Sequence, residues 1–130
     1  MFAEVDEMPF QAFNLMKSQT VINGVSRINV QGNDPDTMQS IAFFFPADLV
    51  EGVYELSTSV VNGDEVVANF VSEIDVADTF YGNPGTLTIT NYNTDSGLIE
   101  GTFQFTAVDL SGQDDTEFIV TNGEFSFNLN

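Results

Sequence analysis

This chain has no cysteine, no histidine and no tryptophan, and Lys17 and Arg27 are its only cations. Without Cys there are no disulfides, thiol nucleophiles or thiolate metal sites, and without His there is no imidazole base. Its serines therefore lack their usual catalytic partner. A Ser–Lys pair would have to use Lys17, whose neighbour Ser18 points the other way on a strand; Lys17 and Arg27 are expected instead to partner nearby acids. Two cations against twenty acidic residues leave a net charge of −18. Nothing can then neutralise phosphates, which argues against nucleic acid as a partner, and anionic membrane surfaces are disfavoured for the same reason. No run approaches the roughly 20 apolar residues of a membrane-spanning helix. The opening Met1-Phe-Ala-Glu-Val5 shows no basic region followed by an apolar one, so a signal peptide is not expected within it. The chain is then cytoplasmic, or it starts after a removed leader.

What is present suits one domain over residues 1–130, long enough to bury roughly 65–70% of its unfolded surface. Thirteen of the sixteen aromatic residues are Phe. Phe has no polar handle, so most of these rings are expected in a core. Twenty acids spread over a folded surface of roughly 6,800 Å² stand on the order of 18 Å apart, beyond the Debye length of about 8 Å at physiological salt. Repulsion is then mild, and the acids read first as a solvating shell.

Apolar–polar alternation of period two recurs along the chain, and no stretch carries a capped 3.6-residue period. Short strands are expected at Phe2–Val5, Phe10–Met16, Thr20–Gln31 with a break at Asn23-Gly24, Met38–Phe45, Gly52–Leu56, Val66–Glu73, Thr86–Tyr92, Leu98–Val108 and Glu117–Leu129. Ile41-Ala-Phe-Phe-Phe45 reads as buried on both faces, and Pro46 closes it. Ala47–Glu51 is the one place for a short helical turn. Asn62-Gly-Asp-Glu65 reads as a hairpin turn, and Tyr81-Gly-Asn-Pro-Gly85 as an exposed loop. The fold class is all-β: a sandwich of about 8–9 mainly antiparallel strands. Asn122-Gly123 has two readings, a two-residue hairpin turn or a bulge within one long strand. The apolar parity switches there, from Phe118 and Val120 to Phe125 and Phe127, as one extra residue requires. Gly101–Val108 also needs a neighbour, which favours the bulge and places Ala107 by Phe118 and Phe105 by Val120.

Several phrases together are familiar: Gly85-Thr-Leu-Thr-Ile-Thr-Asn-Tyr-Asn93, Gly97-Leu-Ile-Glu-Gly-Thr-Phe-Gln-Phe-Thr-Ala107 and Val120-Thr-Asn-Gly-Glu-Phe-Ser-Phe127, with Phe2-Ala-Glu-Val-Asp6, Phe10-Gln-Ala12 and Gly52-Val-Tyr-Glu-Leu56. The chain resembles an uncharacterised family of small all-β domains in secreted proteins and lipoproteins of Gram-negative bacteria. The resemblance implies a sandwich-like fold and a secreted or outer-envelope location, with lipid anchoring in a full-length protein. It brings no catalytic residues.

For chemistry, acidic turns come first. Calcium takes six to eight oxygen ligands; Asp34 and Asp36 in one turn, with Asp114 and Asp115 in another, are the best candidates, although none matches the twelve-residue calcium loop. Tyr81, Asn83 and Tyr92 are candidates for a polar ligand such as a glycan, since sugars stack on aromatic faces beside amides. The expected function is a non-enzymatic binding or structural module at the cell surface, facing a protein or glycan partner. A calcium-stabilised adhesion-type domain is the alternative, and a small glycan-acting hydrolase needs two carboxylates across a cleft.

Overall fold

The computed structural model describes residues 1–73, 79–113 and 115–129. Ten strands run in chain order: β1 Phe2–Val5, β2 Met8–Gln11, β3 Leu15–Ile22, β4 Val25–Asn33, β5 Ser40–Pro46, β6 Gly52–Ser57, β7 Val66–Val71, β8 Thr79–Asn93, β9 Leu98–Val108 and β10 Phe118–Asn128. They form one sheet in the order β2-β1-β10-β9-β8-β6-β7-β5-β4-β3, with β8 also pairing β7. The all-β expectation holds, with no helix among the described residues; Ala47–Asp48 is a turn. The pairings are antiparallel except β6–β7, which is parallel, with Leu56 opposite Val66.

The sheet curls so that its halves share one core. Phe43 of β5 meets Phe103 of β9 at 4.7 Å between ring centroids, and Phe70 of β7 meets Phe118 of β10 at 4.8 Å. β5 and β9 are separated by three strands in the sheet order, so these rings touch across the interior rather than along it. Nine Phe residues are buried: Phe10, Phe43, Phe45, Phe70, Phe80, Phe103, Phe105, Phe125 and Phe127. The total accessible surface, 6995 Å², matches the value expected from mass scaling.

Local chemistry explains most elements. Asn23-Gly24, both at positive φ, turns β3 into β4 with Ile22 opposite Val25, the geometry of a two-residue hairpin. Ile41, Phe43 and Phe45 are fully buried and Ala42 nearly so, as a run apolar on both sides requires. Phe118 pairs Ala107, Val120 pairs Phe105, and the register then slips so that Gly123 meets Phe103. Asn122-Gly123 is therefore the bulge, not the turn. A Cβ at Gly123 would lie 2.3 Å from the Phe103 ring, so the residue that resumes pairing after the bulge must be glycine.

Three expectations change. Phe10–Met16 is not one strand: β2 stops at Gln11, and the chain bends before β3 begins at Leu15. Pro9 sits inside β2, which is possible because β2 is a sheet edge. Tyr81-Gly-Asn-Pro-Gly85 is not a loop but part of the fifteen-residue β8, with the register slipping between Gly82 and Gly85. Asn62–Glu65 turns the chain, yet the strands on either side of it run parallel and so form no hairpin.

Arg27 supplies the reason for the last of these. It is 1% exposed, and its guanidinium donates to the carbonyls of Gly63, Phe44 and Glu65. Burial pulls its pKa down, while the Glu65 and Asp64 carboxylates oppose that shift. The Glu65 carboxylate accepts the N–H groups of Val61, Asn62 and Gly63, and Asn23 Nδ2 donates to the Val61 carbonyl. The turn is thus tied to the β3–β4 hairpin rather than closing one of its own. Arg27 lies within reach of the Glu65 and Asp64 carboxylates, as expected, but its hydrogen bonds go to backbone carbonyls, and Lys17 likewise donates to that of Asn128.

Candidate ligand-binding groove

The outer face of β8, β9 and β10 is built by the same alternation that fills the core. Leu87, Ile89, Phe103, Phe105, Val120 and Phe125 point inward and are buried. Their neighbours Thr86, Thr88, Thr102, Gln104 and Glu124 then point outward. Register aligns them in rows: Thr88 faces Thr102, which faces Glu124, and Thr86 faces Gln104.

Three adjoining depressions mark this face. One of about 450 Å³ is lined by Phe2, Phe13, Thr90, Glu100, Thr102 and Glu124, among others. The next, also about 450 Å³, shares Thr102 and Glu124 with it and adds Thr86, Thr88, Gln104 and Asn122. The third, about 500 Å³, shares Thr86 and Gln104 with the second and reaches Glu55, Asn83 and Pro84. Together they form one open groove with a floor of hydroxyl, amide and carboxylate groups.

One end of the groove is aromatic. Phe13 is 73% exposed and Phe2 39%, and their rings meet edge to face at 5.6 Å. Phe2 lies on β1 opposite Glu124, and Phe13 lies in the bend between β2 and β3. Two carboxylates stand beside them. Glu100 on β9 faces Ser126, and Glu124 on β10 faces Thr102, so the two are diagonal neighbours, their Cα atoms about 7–8 Å apart by sheet geometry. Glu100 accepts from Asn91 Nδ2 at 3.0 Å. Glu4 accepts from Asn122 Nδ2 at 2.9 Å.

The structure separates the residues expected to bind a ligand. Asn83 lines the groove. Tyr81 is half-buried in β8 between Asn69 and Val108. Tyr92, nine residues beyond Asn83 and about 30 Å along an extended strand, donates its hydroxyl to the Ala47 carbonyl at 2.8 Å. Burial, helped by Asp48, raises the Tyr92 pKa. Its place is structural, holding the start of the β5–β6 connection against β8.

Among the acidic candidates, Asp34 is 3% exposed. Its Oδ2 accepts the Gln11 N–H at 3.0 Å, and its Oδ1 accepts those of Asp36 and Thr37 at 2.8 and 3.3 Å. Burial alone would raise its pKa; the Gln11, Asp36 and Thr37 donors outweigh that and hold it below its ordinary value. Both oxygens are thus engaged by the chain itself. Asp36 and Asp115 are exposed, on the β4–β5 turn and the β9–β10 connection, and Asp114 lies outside the described residues. Among the described residues no three acidic groups converge as a metal site would require.

Phe2, Phe13, Glu100 and Glu124 escape a reading of the sequence alone. Phe13 carries the only local signal, an aromatic between Ala12 and Asn14 at a strand break. Comparison with known protein families matches residues 3–128 to a domain of unknown function, DUF6252, and the chain belongs to that family. No curated protein and no solved structure matches it.

Proposed function

We propose that this domain is an exported, non-enzymatic binding module that holds a polar ligand of the glycan class in the groove over β8, β9 and β10. The observation that carries the reading is the exposed Phe13–Phe2 pair beside Thr90, Thr102, Glu100 and Glu124. Sugar rings present C–H faces to aromatic rings and hydroxyls to carboxylates and threonines, and this end of the groove offers both. Net charge of −18 repels anionic polysaccharides, so the ligand is neutral or carries amino groups. The acidic shell also suits a protein kept soluble outside the cell.

The diagonal pair Glu100 and Glu124 favours a second reading, a glycan-acting hydrolase, because that chemistry needs two carboxylates side by side over one groove. Against it, Glu124 is exposed and Glu100 only half-buried, whereas the general acid of such a pair is normally raised in pKa by burial.

The test is titration of neutral, amino-bearing and anionic oligosaccharides followed by backbone amide shifts. Binding of the first two classes that shifts Thr102 and Glu124 and is lost in Phe13→Ala, with an unchanged melting temperature, supports the binding module. Shifts confined elsewhere, or none with any class, overturn it. Release of reducing ends that stops in Glu124→Gln establishes the hydrolase instead.

A further inference from the structure

The two edges of the sheet, β2 and β3, are treated differently. Val5 faces Met8 across Asp6-Glu7, both at positive φ, a two-residue hairpin in which Val5–Met8 and Ala3–Phe10 are the hydrogen-bonded pairs. The N–H groups that β2 would turn to its free edge are then those of Pro9 and Gln11. Pro9 has none, and Gln11 gives its own to Asp34 Oδ2. The β2 edge is sealed.

The β3 edge is open. In the hairpin closed by Ile22 and Val25, Ile22, Thr20, Ser18 and Met16 bond to β4. Leu15, Lys17, Gln19 and Val21 therefore turn their N–H and C=O groups outward. Among the described residues no main-chain partner meets them. Every β3 residue but the half-buried Leu15 is exposed, including Met16 at 54% and Val21 at 70%. A lysine on an edge normally guards it, but Lys17 Nζ reaches to the Asn128 carbonyl and leaves the edge uncovered.

Charge identifies the occupant. From Met8 to Asn33 there is no Asp or Glu, and both cations of the chain fall in this stretch. Two copies of so acidic a molecule repel each other through their acidic surfaces, and along this free edge they can approach without opposing carboxylates on the strand itself. We infer that the free edge of β3 pairs antiparallel with the β3 edge of a second copy of this chain.

A two-fold axis normal to the sheet keeps each face on its own side, so it must pass through a residue rather than between two. Centred on Gln19, it sets Gln19 against its mate, Val21 against Lys17, and Met16 against Ile22. The outward groups of Lys17, Gln19 and Val21 then complete their hydrogen bonds, and the exposed Met16 and Ile22 cover each other. One strand pair is a small interface, so the dimer is weak and forms at high protein concentration. The remaining acidic surfaces still repel at a distance, and salt must strengthen the association.

Sedimentation equilibrium over a range of protein concentrations, at about 20 mM and about 500 mM sodium chloride, is the experiment. The wild-type chain should shift from monomer toward dimer with concentration, more so at the higher salt. Gln19→Glu and Gln19→Lys should each weaken the dimer roughly five- to tenfold, because like charges then face each other across the axis, while both melt as the wild type does. Only a symmetric contact responds alike to opposite charges. A monomer under all conditions, or opposite effects of the two substitutions, overturns the inference. Because the chain has no cysteine, Gln19→Cys gives a second readout: mild oxidation should cross-link it as a dimer, while Val50→Cys, exposed in the β5–β6 connection, should remain a monomer.

Discussion

The Arg27 guanidinium donates to the main-chain carbonyl of Glu65 at 2.6 Å, while the Glu65 carboxylate turns away and accepts the N–H of Val61 at 2.8 Å. The buried guanidinium and the Glu65 carboxylate thus act on opposite sides of one loop. Arg27 holds its carbonyls and Glu65 its amides.

Replacing Arg27 should therefore be costly. Arg27→Met keeps much of the apolar stem but leaves the carbonyls of Gly63, Phe44 and Glu65 without their donor. A loss of about 3 kcal/mol is expected, read from the urea midpoint. Arg27→Lys should recover only part of it, since an ammonium cannot span three acceptors in a planar fork. A loss below about 1 kcal/mol for Arg27→Met would show that the clamp is not needed.

Glu65 predicts a pH dependence. Its carboxyl is held down to about 2, against an ordinary value of 4.5, first by the Val61 and Asn62 N–H groups. A depressed folded pKa stabilises the protein above the unfolded value, and that contribution fades as pH falls from about 4.5 through about 2. The melting-temperature gap between wild type and Glu65→Gln should be full at pH 6 and shrink toward pH 2.5. A gap that stays constant with pH would rule out this linkage.

Asp34 separates a structural from a metal-binding role. Asp34→Ala deprives Gln11, Asp36 and Thr37 of their acceptor, and a loss of about 1–3 kcal/mol is expected. If the role is structural, that loss persists in excess chelator. If wild type and variant melt together once calcium is removed, the calcium reading is correct instead.

The bulge predicts a steric effect. Gly123→Ala places a methyl 2.3 Å from the Phe103 ring and should cost about 1–3 kcal/mol by overpacking, whereas Gly24→Ala at the hairpin tip meets nothing within 4 Å and is strained only by its positive φ. Equal melting points for Gly123→Ala and wild type would contradict the register.

The net charge predicts a response to salt. Raising ionic strength at fixed, low protein concentration should raise the melting temperature, because the self-repulsion of twenty acids is screened. A flat dependence would mean that the acids are spaced widely enough to ignore one another.

What could be read in advance was whatever neighbouring residues decide. Asn23-Gly24 closes its own hairpin. The parity switch at Asn122-Gly123 fits either a turn or a bulge, and the need of the Gly101–Val108 strand for a neighbour points to the bulge. The thirteen Phe pointed to a core, and nine of them form it. What remained hidden depends on distant partners. Asn62-Gly63 resembles a hairpin turn until Arg27, thirty-six residues away, takes the Gly63 carbonyl. Tyr81–Gly85 has the composition of a loop, yet β7 and β9 hold it in the sheet. The groove joins Phe2 and Phe13 to Glu100 and Glu124 through the pairing of β1 with β10, which no local pattern encodes.

That pairing also sets an order of events during synthesis. β1 lies between β2 and β10, so the β1–β2 hairpin has no seat until β10, made more than a hundred residues later, has emerged. Until then Val5 and Phe10, both buried in the finished molecule, stay in water. The nascent domain must carry an unseated apolar hairpin until Phe118–Asn128 arrives to close the sheet around it.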